Sequence, residues 1–177
     1  MIEVETTHTS SLDARSLTAL RAFLDEAFSG DLDDHDWDHA LGGVHALVWE
    51  DGAIVAHASV VQRRMLHGGR ALRTGYVEAI AVRLDRRGRG YGRALMERVD
   101  RVIRGAYELG ALSAGEEAAR LYRSLGWQRW QGRTWVLGPN GIERTADEDE
   151  TTHVLPLTAE LDLAGDLVCD WRDGDVW

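Results

Sequence analysis

Between residues 82 and 95 the chain changes period. Residues 71–82 form an aliphatic-rich run of strand character, and with Tyr91 the residues Leu95, Val99, Val102, Ile103 and Ala106 fall on one stripe of a long helix. The join is Arg87-Gly88-Arg89-Gly90-Tyr91-Gly92. Strand, glycine-rich turn and helix make the physical setting of a phosphate site. Amides in the first helical turn have no intrahelical partners, and the helix dipole adds positive potential there. Glycine at 88, 90 and 92 leaves no side chain to hold a phosphate away, and Arg86, Arg87 and Arg89 add charge. The plainer reading is a flexible basic turn that starts a helix. Three alternating glycines count against it, because each weakens the helix start. The spacing is not G-x-G-x-x-G, and the chain has no lysine to complete a P-loop.

The remaining pattern surrounds this unit with mixed elements. Leu17, Leu20, Leu24, Ala27 and Phe28 recur at helical spacing after Ser10-Ser11, two candidate N-caps, which predicts a helix over 12–28. A short second helix is expected at 36–41. Segments 44–50 and 53–65 have strand character across Asp51-Gly52, a hairpin signal, and His67-Gly68-Gly69 turns the chain again into 71–82. Three successive antiparallel strands follow from this. Beyond the long helix the pattern predicts a strand at 107–113 and a helix at 116–125 stopped by Gly126. Short strands at 127–130 and 133–137 and an edge strand at 153–157 complete the order. The fold class is α/β, with one mixed sheet and helices on both faces.

At 177 residues, the chain is sized for one domain that needs no staple. Its single cysteine, Cys169, excludes an intrachain disulfide. No basic, apolar, small-residue leader is present, nor any apolar run of about 18 residues, so a cytoplasmic protein without a membrane partner is expected. The net charge of −10 argues against nucleic acid, whose phosphates require a positive surface. It suits a cationic small molecule, although an acidic excess also serves solubility alone. All 20 basic residues are arginine, which removes Schiff-base and lysine-nucleophile chemistry.

Taken with its flanks, the turn at 87–92 resembles the Arg-x-x-Gly-x-Gly motif of the GNAT N-acetyltransferases. Val77-Glu78-Ala79-Ile80-Ala81-Val82 is similar to that family's fourth strand. Ala118-Ala119-Arg120-Leu121-Tyr122-Arg123-Ser124-Leu125-Gly126-Trp127 is similar to its last helix, with a tyrosine ahead of a Gly-aromatic pair. The chain also resembles the aminoglycoside 2′-N-acetyltransferases of this superfamily over nearly its full length. That resemblance rests on Leu41-Gly42-Gly43-Val44-His45-Ala46-Leu47, Gly75-Tyr76-Val77-Glu78, Arg104-Gly105-Ala106-Tyr107-Glu108-Leu109-Gly110-Ala111-Leu112-Ser113, Cys169-Asp170-Trp171-Arg172 and Gly174-Asp175-Val176-Trp177. It implies a single domain over 1–177, a cofactor core at 76–130 and a substrate segment at 140–177. It also implies splayed central strands that form the acetyl-CoA site, an aminoglycoside or related cationic aminosugar as acceptor, and a homodimer.

Moving an acetyl group from a thioester to an amine requires that the amine lose a proton and that the carbonyl oxygen be stabilised. The leaving thiolate is helped by protonation. The resemblance implies that Glu78 touches the substrate and takes the proton through water; pairing with a sheet arginine is the other role such a carboxylate fills. It implies backbone contacts from Ile80, Ala81 and Val82 to the pantetheine arm and carbonyl, and pyrophosphate contacts from residues 87–92. Tyr122 is implied as the acid at the sulfur, with core packing as its alternative. The aminoglycoside-facing set carried over is Asp31, Asp36, Glu78, Ala79, Ser113, Asp147, Glu148, Asp175 and Trp177. Carboxylates shielded from water suit a polyamine sugar. Two tryptophans in the last seven residues argue against a frayed end. Glu148 stands where the family pattern has Asp, which keeps the charge on a longer arm.

Two further motifs carry no function. The stretch Gly110-Ala111-Leu112-Ser113 has one residue too many for a nucleophile elbow. His35 and His39 are spaced as a helical metal pair without an evident third ligand, so no metal is expected. The competing functions are acetylation of another polyamine and a non-catalytic acyl-CoA-binding module. The presence of both Glu78 and Tyr122 counts against the module.

Overall fold

The computed structural model describes residues 2–177. Its contacts divide into two compact units: the chain up to Val61 with Val77–Val102, and Gln62–Tyr76 with Ile103–Trp177.

In the first unit, Glu5–His8 (β1) pairs antiparallel with Val44–Glu50 (β2), and β2 pairs antiparallel with Ala53–His67 (β3) across the anticipated Asp51-Gly52 turn. A bulge interrupts that ladder between Val48 and Trp49. The next neighbour of β3 is Arg70–Val82 (β4). Helix Ala14–Ala27 (α1) is capped by Asp13, whose side chain accepts from Ser16 N at 2.7 Å. Ser10 and Ser11 instead fall in a 3-10 turn, so neither is the cap. The apolar stripe of α1 buries Leu20, Phe23 and Leu24 against Leu32, Leu47, Ile54 and Ala81. Burial of each such side chain contributes about 1.5–3 kcal/mol. The six-residue helix Asp34–His39 (α2) begins with a capping box between Asp33 and Asp36. Helix Tyr91–Ala106 (α3) starts in this unit, where Leu95, Met96 and Val99 are buried.

The second unit contains Leu109–Ser113 (β5), Glu116–Ser124 (α4), Gln128–Arg129 (β6), Thr134–Gly138 (β7), Gly141–Arg144 (β8), Thr152–Pro156 (β9) and Leu167–Asp170 (β10). With the parts of β3 and β4 that fall in Gln62–Tyr76, the strand order of this unit is β6-β9-β5-β4-β3-β10-β7-β8. The pairs β4–β5 and β10–β7 are parallel, whereas β5–β9, β6–β9, β7–β8 and β3–β10 are antiparallel, which makes the sheet mixed. The expected edge strand is not an edge: β9 is paired on both sides, by β5 and β6. Strands β1, β8 and β10 lie where the pattern gave none. Buried Arg63 is held by Asp170, Nε to Oδ1 at 2.7 Å and Nη2 to the backbone oxygen at 2.7 Å. Among the described residues no helix is long and apolar enough to cross a membrane.

Candidate active site

The turn between β4 and α3 has a backbone that favours glycine at two positions. Gly88 and Gly90 have φ of 73° and 91°, a left-handed region that strains any residue with a Cβ. A Cβ on Gly88 would meet nothing, so conformation rather than packing selects glycine there. The first α3 bond runs from Ala94 N to Gly90 O at 3.0 Å, which leaves the amides of 91–93 without an i−4 partner. The arginines divide by role. Arg86 donates to Glu50 Oε2 at 2.7 Å and to Asp85 Oδ2 at 2.6 Å, so this member of the basic cluster is committed within the protein. Arg83 is likewise paired with Asp85. Arg87 and Arg89 are exposed, and neither is in an ion pair among the described residues. Glu50 also accepts from the Tyr91 hydroxyl, and this hydrogen bond and Arg86 hold its carboxyl below the ordinary range. Sequence reasoning missed Glu50, because the loop contact spans 41 residues. A cavity of 230 Å³ opens beside the turn, between Phe23 and Ala27 of α1 and Arg83, Leu84 and Arg87.

Strand β4 approaches this turn through a kink. Ala79 has φ of 48°, in the left-handed region, inside a strand otherwise continuous to Val82. Such a conformation costs a non-glycine residue about 1–2 kcal/mol. The ladder from β4 to β5 comprises Thr74, Tyr76 and the glycine between them, and ends at Tyr76↔Ala111 while β4 runs on. Glu78, Ala79 and Ile80 are half-buried, Ala81 is buried and Val82 is half-buried. The structure therefore brings Glu78, Ala79, Ile80, Ala81 and Val82 onto one kinked segment leading into the glycine turn. Asp31 is exposed beyond α1. Asp36 is half-buried, and its Oδ2 accepts from Asp33 N at 3.1 Å, so that carboxylate has a structural task as the box partner of α2.

In the second unit, Tyr122 is the inward member of the Leu121-Tyr122 pair, at 4% exposure. Its ring lies 6.3 Å from that of Trp127 and 6.0 Å from that of His153. Burial pushes the hydroxyl up to about 12, which keeps it protonated at neutral pH. Ser113 and Glu148 come together: Ser113 Oγ donates to Glu148 Oε2 at 2.8 Å, and Thr151 Oγ1 donates to the same oxygen at 2.5 Å. The longer arm at 148 thus has two hydroxyl donors, while Asp147 is exposed. The C-terminal tail is ordered by named bonds. Trp177 is 3% exposed, its Nε1 donates to Thr145 Oγ1 at 2.9 Å, and its backbone oxygen accepts from Arg172 Nη2 at 2.7 Å. Asp175 Oδ1 accepts from Trp177 N at 3.0 Å. Sequence reasoning also missed Asp149, which accepts from Thr134 N and Arg144 and is held at about 2 chiefly by the arginine.

A glycine turn feeding a helix N-terminus, next to a strand that runs on past its parallel neighbour, is a setting for a phosphate-bearing cofactor. Residues 12–127 match the family model described as the acetyltransferase (GNAT) family. The chain is 53% identical over 174 residues, 96% of its length and 89% of the relative's, to an aminoglycoside 2′-N-acetyltransferase of Mycolicibacterium fortuitum. Among solved structures it is similar to a GNAT family N-acetyltransferase (YhbS) of Escherichia coli in complex with CoA. The TM-score is 0.66 at 16% identity, with 98% of this chain and 92% of that one covered. Escherichia coli ElaA gives a TM-score of 0.61 at 20% identity, covering 87% of this chain and 99% of that one. The chain belongs to the GNAT acetyltransferase family, with that family's mixed sheet and helices.

Proposed function

We propose that this protein transfers the acetyl group of acetyl-CoA to the 2′-amine of an aminoglycoside by direct attack of the amine. The observation that carries the reading is the 53% identity, across 96% of the chain, to an enzyme named for that reaction. In this scheme the amides of 91–93, with Arg87 and Arg89, hold the pyrophosphate. Backbone groups of Ile80, Ala81 and Val82 hold the pantetheine arm and the thioester carbonyl, whose oxygen gains charge as the C–N bond forms. Glu78 takes the amine proton through water, and the C–S bond then breaks to release the thiolate.

Tyr122 takes a narrower role than general acid. Burial pushes the Tyr122 hydroxyl up to about 12, so it is protonated at neutral pH. A CoA thiolate, whose thiol is at roughly 8.5 by comparison with cysteine, leaves with the help of a hydrogen bond alone. Tyr122 therefore keeps its proton and stabilises the thiolate by donating a hydrogen bond. The acceptor's ammonium groups are assigned to Asp31, Asp36, Ser113, Asp147, Glu148 and Asp175, with the Ala79 backbone completing the set. Trp177, expected to face the sugar, is instead buried at 3% exposure and serves to order the tail that carries Asp175. A cytoplasmic homodimer without a nucleic-acid partner belongs to the same reading, supported by the family resemblance and the net charge of −10.

The test is turnover. With acetyl-CoA and tobramycin, which carries a 2′-amine, CoA is released in step with acetylated product. With kanamycin A, which carries a 2′-hydroxyl, release stays at the background of hydrolysis. Equal turnover of the two would contradict the 2′ assignment, and no turnover of either would contradict the substrate class.

A further inference from the structure

Behind the kink of β4 lies a buried chain of hydrogen bonds that the acetyl-transfer scheme leaves unused. His57 Nδ1 is 2.9 Å from Ala79 O, His57 Nε2 is 2.9 Å from His45 Nδ1, and His45 Nε2 is 2.7 Å from Thr9 Oγ1. Gly42 N donates to Thr9 Oγ1 at 2.9 Å. Both imidazoles have 0% exposure, with ring centroids 5.2 Å apart. The β2–β3 register places His57 opposite Leu47, which puts His45 at the diagonal position on the same face.

The carbonyl end sets the direction of the chain. Ala79 O only accepts, so His57 Nδ1 carries the hydrogen and its Nε2 is the lone-pair nitrogen. His45 Nδ1–H then donates to that lone pair, and His45 Nε2 accepts the Thr9 hydroxyl proton. Every member is satisfied with both rings neutral. Burial agrees with this state, since it pushes His45 down to about 4 and His57 to about 3. The bond at the far end falls on the one non-glycine residue of β4 with positive φ. Relaxing Ala79 to an extended conformation removes the kink, and a one-residue change of phase turns the following side chains to the opposite face.

We propose that His57, aligned by His45 and Thr9, is a positioning residue for acetyl transfer: its Nδ1–H clamps the Ala79 carbonyl, holds the kink and so aims Glu78 and the amides that follow it. The proposal rests on the acetyltransferase reading, which places the reacting thioester at this segment. It assigns no proton transfer to the histidines, because a carbonyl terminates the chain.

The test compares His57→Leu, which removes both ring contacts, with His57→Asn, whose amide keeps a donor near the Nδ1 position. Tobramycin kinetics on His57→Leu should show kcat lower by about 30- to 100-fold, the scale of a reacting group displaced by about 1 Å. The KM for acetyl-CoA should rise by only about two- to fivefold, because residues 87–92 keep the pyrophosphate while the pantetheine contacts of 80–82 shift, and His57→Asn should recover at least about fivefold of the lost kcat. Equal kcat in the two variants, or a loss confined to the KM for acetyl-CoA, overturns the clamp. Imidazole ¹⁵N spectra of the unmodified protein at pH 7.5 supply a reading independent of turnover and of variant folding: both rings should be Nδ1–H tautomers, and an Nε2–H tautomer at His57 overturns the clamp. If the unmodified protein leaves tobramycin unacetylated, the substrate reading fails, and the tautomer spectrum alone decides whether the clamp exists.

Discussion

Acidification from pH 8 to pH 5 should destabilise this protein through His45 and His57. Each ring is neutral in the folded state and free to ionise at about 6.5 once unfolded, so the unfolded chain binds more protons and stability falls as pH drops below 6.5. With folded values of about 4 and about 3, each ring contributes a loss of about 2 kcal/mol at pH 5, and the pair about 4 kcal/mol. The loss is already about 1.5 kcal/mol for the pair at pH 6, and it grows until the folded values are reached. Asp149, held at about 2, is silent in this window, and Glu50 and Glu108, both lowered chiefly by hydrogen bonds, add a small loss in the same direction near pH 5. His153, also lowered chiefly by burial, adds in the same direction. Urea unfolding followed by circular dichroism at pH 8, 7, 6 and 5 measures the slope. A His45→Gln/His57→Asn variant, which cannot ionise at either position, should lose about 4 kcal/mol less than the unmodified protein between the end points. The reasoning is refuted if the unmodified protein loses under about 1 kcal/mol over this range, or if the variant loses as much as it does.

Other outcomes follow from single contacts. Gly43→Ala places a Cβ 2.0 Å from Val60 O, a clash with backbone, and should cost about 3 kcal/mol, or a Tm lower by about 6–12 °C in calorimetry. Asp149→Ala leaves the buried Thr134 without its carboxylate acceptor and should cost about 1–3 kcal/mol at pH 7 in urea unfolding. The stability Asp149 supplies is present above about pH 4 and fades as pH falls towards 2, so Asp149→Ala and the unmodified protein should converge there. Glu78→Gln should lower kcat by about 10²- to 10³-fold at pH 7 with little change in the KM for acetyl-CoA, whereas Tyr122→Phe should cost only about tenfold, as fits loss of a hydrogen bond rather than a proton.

The parts of this fold legible in the sequence are those fixed by local chemistry. The period change at Tyr91, the stop at Gly126 and the Asp51-Gly52 hairpin each appear at the anticipated place, because glycine φ and helical periodicity act over a few residues. Strands β1 and β8 escaped because they are short and nearly all exposed, with no apolar alternation to betray them. β10 escaped because its pairing partners, β3 and β7, are distant in sequence. The same limit governs the site. Charge alone made Arg86 look like a phosphate ligand, yet Glu50, 36 residues away, claims it. The two histidines sit 12 residues apart on separate strands, and only the β2–β3 register makes them one chain. Ser113 and Glu148 were named separately from the family resemblance, and the fold joins them by a hydrogen bond across 35 residues.

The most direct test of the central claim is the position of the new bond. After reaction with acetyl-CoA, NMR of the tobramycin product should show one acetyl group, with the downfield shift of the 2′ proton and an amide correlation to that position alone. An acetyl group on the 6′ or 3 nitrogen, with the 2′ amine still free, would contradict the account.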